Sequence, residues 1–242
     1  MNRLYRKSKL WFALLWIAAY VVGTGGADAL SKAVGVEKSI TLVYLAVLTA
    51  VCILWLGKNG LFREYGLCRP GLPAKRLLFY IPLAVMASCN LWFGAGWNYG
   101  LTESLLYVLS MLLVGFLEEV IFRGFLFNAL RADSIKAAVI VSSLTFGIGH
   151  MVNLINGSGA QLLPNLLQVC YAAAAGFLFV ILFIRTGSLW PCILTHSILN
   201  ALSAFAASLS TWQDILVSAA LCVISICYAL FVLSKEQKKK AQ

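Results

Sequence analysis

The stretch Met111-Leu-Leu-Val-Gly-Phe-Leu-Glu-Glu-Val-Ile-Phe-Arg-Gly-Phe-Leu-Phe127 decides the fold, because it sets Glu118, Glu119 and Arg123 inside a run otherwise suited to the bilayer core. A charge at mid-membrane costs roughly 2.5–3.5 kcal/mol even on the lenient insertion scale, so three so close together must face protein or water. On a helix Glu119 and Arg123 stand at i, i+4 and can pair, whereas Glu118 points about 100° away and lacks that partner. One carboxylate reads as structural and the other as available for chemistry.

The rest of the chain fits this reading. Its 242 residues are 61% hydrophobic and 12% charged, with a mean hydropathy of +0.88, too apolar for a water-soluble globule. The expected fold is an all-α polytopic membrane helix bundle, a single integral membrane domain over 1–242. Apolar runs predict eight transmembrane helices, at about 10–22 (extendable to 27), 40–56, 77–93, 104–130, 137–154, 162–184, 189–209 and 215–233. The first run, with its basic flank and Ala27-Asp28-Ala29, imitates a signal peptide; the spans that follow favour a retained anchor. Pro70 and Pro73 break the connection before the third span, and Trp92, Trp97 and Tyr99 mark an interfacial loop after it.

Net charge +10 raises the question of nucleic acid, but the basic residues sit at the ends of apolar runs and not on a polar face with interleaved aromatics. Topology accounts for them. With the N-terminus inside, sixteen Lys and Arg fall on inner segments and only Lys32 and Lys38 on outer ones, Arg123 being buried. The positive-inside rule then places both termini in the cytoplasm. Cys52, Cys68, Cys89, Cys170, Cys192, Cys222 and Cys227 are odd in number and form no Cys-x-x-Cys pair, so they read as small hydrophobes and not as a disulfide or zinc framework.

Two histidines complete the polar set. Phe146-Gly-Ile-Gly-His150 puts an aromatic ring one turn before the first, and His196-Ser-Ile-Leu-Asn200 puts an amide one turn after the second. A lone intramembrane histidine is usually a packed core residue. Here that reading has to explain two histidines, an asparagine and two glutamates in three helices.

Glu118-Glu119-x-x-x-Arg123, Phe146-x-x-x-His150 and His196-x-x-x-Asn200 together resemble the three motifs of the CPBP family, also called the ABI family. That family comprises type II CAAX prenyl endopeptidases and bacteriocin-processing or self-immunity proteins. The resemblance implies an intramembrane glutamate protease with a CPBP-like catalytic core over about 104–209. Glu118 would be the general base, His150 its partner on the water, His196 and Asn200 oxyanion donors, and Glu119 with Arg123 a supporting pair. The roles of Glu118 and Glu119 remain exchangeable at this level.

The residues themselves are compatible with that chemistry. A carboxylate in a cavity of low dielectric has its charged form disfavoured, and an asparagine offers a neutral N–H to a developing oxyanion. A Cys192 thiol nucleophile is the weaker option, since a thiol on an apolar helix usually packs. Glu118, His150 and His196 also form a His₂Glu set of the kind that binds catalytic zinc, though His-Glu-x-x-His is absent. A site without cofactor is the favoured reading and zinc the alternative.

The expected partners are the lipid bilayer and a membrane-associated peptide or protein substrate (CAAX-type, pheromone or bacteriocin-related), with no nucleic acid. The expected location is the plasma membrane of a bacterium, with the site open toward the cytoplasm. The rival classes are a non-proteolytic regulator or scaffold, such as a self-immunity protein or sensor-kinase partner, and a proton-coupled transporter. Intact proton-active groups argue against a scaffold, and the lack of repeat symmetry argues against a transporter.

Overall fold

The structure, a computed structural model, describes residues 1–71, 80–155 and 159–240, with side chains through Ser234. Pro73, Lys75, Arg76 and the start of the third expected span lie outside the described residues. Helices α1 (Asn2–Lys7) and α2 (Lys9–Val34) are separated at Ser8, whose hydroxyl caps Trp11 N–H. Then come α3 (Ser39–Lys58), α4 (Ile81–Ala87), α5 (Leu101–Glu119), α6 (Asn128–Leu130), α7 (Ile135–Gly149), α8 (Leu162–Thr186), α9 (Trp190–Leu202) and α10 (Thr211–Lys240). Between α5 and α6 the backbone continues as a π-helix over Val120–Phe127.

Six helices among the described residues are long and apolar enough to cross a membrane: Lys9–Val34, Ser39–Lys58, Leu101–Leu130, Ile135–Leu154, Leu162–Thr186 and Thr211–Ser234. The third and seventh expected spans appear as the shorter α4 and α9, each prolonged by a 3₁₀ turn, Cys89–Leu91 and Ser203–Phe205. The α9 segment nonetheless runs from one end of the bundle to the other. At one end Gly71 N–H donates to Thr186 C=O and Leu189 N–H to Gly66 C=O; at the other Gly96 N–H donates to Phe205 C=O.

The first of these ends also gathers the N-terminus and the loop after α3, through Tyr65 O–H to Tyr5 at 3.0 Å and Lys9 to Glu64 at 2.9 Å. The second carries Glu37 N–H on Glu103 at 3.0 Å and the Tyr107–Ser203 hydroxyl pair at 3.0 Å. We call them the basic end and the far end.

Polarity is arranged as a bilayer demands. Val43, Val47, Leu54, Leu105, Leu109, Ile140, Leu144, Val223 and Leu230 face outward, while Ser31, Thr41, Ser110, Ser142, Ser143, Asn165, Ser197 and Ser225 are buried. Small residues let the helices close. A Cβ on Gly115 would lie 2.6 Å from Ser197 N, and one on Gly147 would lie 2.8 Å from Val169 O, so α5 meets α9 and α7 meets α8 backbone to backbone. The π-helix leaves carbonyls outside the usual ladder, and side chains satisfy two of them: Ser142 O–H on Phe122 C=O at 2.9 Å and Asn128 on Gly124 C=O at 2.6 Å.

Candidate active site

The close contact of Gly115 with Ser197 brings α9 against the last turn of α5, and His196 lands between the two glutamates. Its Nδ1 lies 2.9 Å from Glu119 Oε1 and its Nε2 lies 3.4 Å from Glu118 Oε2. Glu119 also accepts from Arg123 at 3.0 Å, the pair predicted from the i, i+4 spacing, and both side chains are fully buried. The guanidinium stacks on Phe146 at 4.0 Å and reaches Phe179 at 5.6 Å, which shields it from lipid. The Phe146 ring also meets His150 edge to face at 5.2 Å and His196 at 5.6 Å. Phe146 therefore joins the second motif to the other two.

Glu118 is only partly buried, and its Oε1 accepts a hydrogen bond from Tyr20 O–H at 2.7 Å. Tyr20 went unnoticed in the sequence, because a single tyrosine in the first apolar run has no spacing partner that marks it. The sequence reading also paired Glu118 with His150 and gave His196 to the oxyanion; the imidazole beside Glu118 is His196. His150 Nδ1 instead bonds Phe146 C=O at 3.0 Å. A carbonyl only accepts, so Nδ1 carries a proton, and in its neutral form the ring keeps a lone pair on Nε2. Asn200, one turn beyond His196, lines the same cavity as Glu118 and His150. Cys192 is sealed in the core against Phe179 C=O at 3.5 Å.

The cavity has a volume of about 440 Å³, large enough for a peptide segment with water. A smaller one of about 50 Å³ adjoins it between Phe146, Phe179, His196 and Asn200. Among the described residues no group of three His, Cys, Asp or Glu is arranged to hold a metal ion. The Glu118, His150 and His196 set does not converge as a three-ligand shell, although both imidazoles have Nδ1 anchored in the manner of metal-binding histidines.

Residues 100–202 match the sequence family described as type II CAAX prenyl endopeptidase Rce1-like. That stretch is similar to the core of the family. It runs from α5 through α9 and holds Glu118, Glu119, Arg123, His150, His196 and Asn200, whereas Tyr20 lies outside it. The protein named "Putative membrane peptidase YdiL" from Bacillus subtilis (strain 168) is 31% identical to this chain over 97 residues, which is 40% of this chain. The chain covers 34% of the length of that curated relative. No solved structure matches the chain.

Proposed function

We propose that the protein is an intramembrane endopeptidase of the CPBP type, hydrolysing a peptide bond of a membrane-associated peptide or protein with a glutamate-activated water. The observation that carries this reading is the carboxylate of Glu118, set on a cavity of about 440 Å³ with Tyr20 on one oxygen and His196 by the other. The similarity to the Rce1-like family and the membrane-peptidase relative support it. The bacterial relative also favours a bacterial plasma membrane, and no feature of the site demands a prenyl group.

In this mechanism Arg123 neutralises Glu119, which holds His196 through Nδ1–H. The Nε2 lone pair then faces Glu118 at 3.4 Å, placed to take up a proton that Glu118 receives. A water between Glu118 and the His150 Nε2 lone pair gives its proton to Glu118 as its oxygen attacks the scissile carbonyl. Asn200 Nδ2–H stabilises the tetrahedral oxyanion. Collapse breaks the C–N bond, and the proton held by Glu118 passes to the departing amine. His196 thus moves from oxyanion donor to partner of the base.

The test is quantitative peptidomics of cells carrying wild type or Glu118→Ala, His150→Ala or His196→Ala, with membrane insertion checked in parallel. A membrane-derived fragment present only with wild type is expected. Near-normal levels of every such fragment in all three variants would sink the protease reading, and preserved cellular function would point to a scaffold. Purified protein is expected to keep its activity under strong chelation, since a water held by side chains needs no metal. Loss of activity with chelator, regained with zinc, would make Glu118 a ligand.

A further inference from the structure

We propose that the cavity bearing Glu118 opens on the membrane face opposite the N-terminus, so that the protease acts on the extracytoplasmic part of a membrane-inserted peptide. This inference rests on the protease reading for its substrate class, but its sidedness stands on geometry and charge alone.

The cavity lining advances in one direction. Along α2 it runs through Tyr20, Thr24 and Asp28, about 12 Å of helix at 1.5 Å per residue. Along α5 it runs back from Glu118 to Tyr107, about 16 Å on the same rise. Both paths lead toward the far end, where Lys38, Asn153, Ser203 and Asp214 complete the wall. That end is polar and suited to water. Lys38 pairs with Asp28 at 2.8 Å, Asp28 also accepts from Thr41 at 2.6 Å, and Asn153 donates to Gln168 at 3.1 Å. The buried Thr24 hydroxyl lines the passage with no partner among the described residues.

Toward the basic end the described residues form a floor. Phe122 is the last lining residue in that direction, and below it Phe125 stacks edge to face on Phe12 at 5.2 Å and on Tyr65 at 5.0 Å, all three fully buried. A floor of interlocked aromatic rings, with the Glu119–Arg123 pair beside it, offers a peptide no passage.

Charge then names the two faces. The basic end holds Arg3, Arg6, Lys7, Lys9, Lys58, Arg63, Arg69, Arg131 and Arg185; the far end holds Lys32 and Lys38, the second already neutralised by Asp28. A bias of that size places the basic end in the cytoplasm. The sequence alone had put the opening on that side, from the family resemblance and not from a path. The cavity leads away from it. A substrate that presents its scissile bond from outside, such as the exported portion of a membrane-anchored peptide, fits this access; a chain end modified and held in the cytoplasm does not.

The test is site-resolved cysteine labelling of the full-length protein in spheroplasts and in inverted vesicles, with a membrane-impermeant maleimide read by peptide mass spectrometry. Thr24→Cys reports the passage, Asn153→Cys the rim, and native Cys68, half-buried beside Gly187 at the basic end, the opposite face. Labelling of Thr24→Cys and Asn153→Cys at least about tenfold greater from the spheroplast side, with Cys68 labelled from the inverted side, is expected. Labelling of Thr24→Cys only from the side that reaches Cys68, or from neither side while Asn153→Cys reacts, would overturn the proposal. Because the readout needs no proteolysis, the expected labelling in a protein that cuts nothing would remove the protease reading and leave the sidedness standing.

Discussion

Tyr20 and Glu118 are 98 positions apart in sequence and 2.7 Å apart in space, and the bond between them anchors the carboxylate by its Oε1. A hydrogen bond to a charged group contributes about 1.5–3 kcal/mol, so Tyr20→Phe is expected to lower kcat by about ten- to a hundredfold with little change in KM. Single-turnover kinetics on a cleaved peptide would check this; an unchanged kcat would remove Tyr20 from the machinery. Arg123 makes a different prediction. Arg123→Ala strands Glu119 in low dielectric and should cost about 3–5 kcal/mol, whereas replacing both partners by apolar residues should cost less than the two single changes added together. Unfolding in mixed micelles measures both, and simple additivity would deny the pair. At this scale the sequence was legible where spacing is local: Glu119 to Arg123, Phe146 to His150 and His196 to Asn200 each lie one helical turn apart. It was silent on Tyr20 and on His196 with Glu119, because these contacts depend on how separate helices cross.

The elements that set those crossings are written in glycine. Gly115→Ala and Gly147→Ala each push a Cβ into the neighbouring backbone and should destabilise by about 1–3 kcal/mol, with Gly115→Ala also displacing His196 from Glu118. Gly26 sits in α2 with open space where its Cβ would be, so Gly26→Ala should instead stabilise by about 0.5–1 kcal/mol. Thermal unfolding of the three variants tests the contrast. Long helices were readable from hydropathy, because an apolar run of that length has few other fates. The limits of α4 and α9 were not: an apolar run continues through a 3₁₀ turn as readily as through a helix, and only Pro82 at the head of α4 and Pro191 at the head of α9 signal a boundary. The π-helix was equally hidden, since Val120–Phe127 is uniformly apolar around Arg123 and shows no period.

For the whole molecule, the two ends of the bundle carry the topology. Reporters placed after Lys9, Arg69, Lys136 and Arg185 should share one compartment, and those near Gly35, Gly96 and Thr211 the other. Arg69 and Lys136 on opposite sides would break the alternation that Gly71 with Thr186 and Gly96 with Phe205 impose. Charge segregation was legible in the sequence because it is a matter of counting. The direction of the cavity was not, since it follows from which helix faces stay apart.

The hydrogen bond from α2 also bears on how such a protein can be cut and recombined. The stretch that matches the Rce1-like family holds every residue of the three motifs, yet the hydroxyl that seats Glu118 comes from a helix ahead of it. That stretch is therefore not a portable catalytic cassette. A chimera that kept 100–202 and exchanged the preceding helices would inherit the carboxylates and imidazoles but not their anchor, and would regain it only from a donor helix with a hydroxyl at the same height.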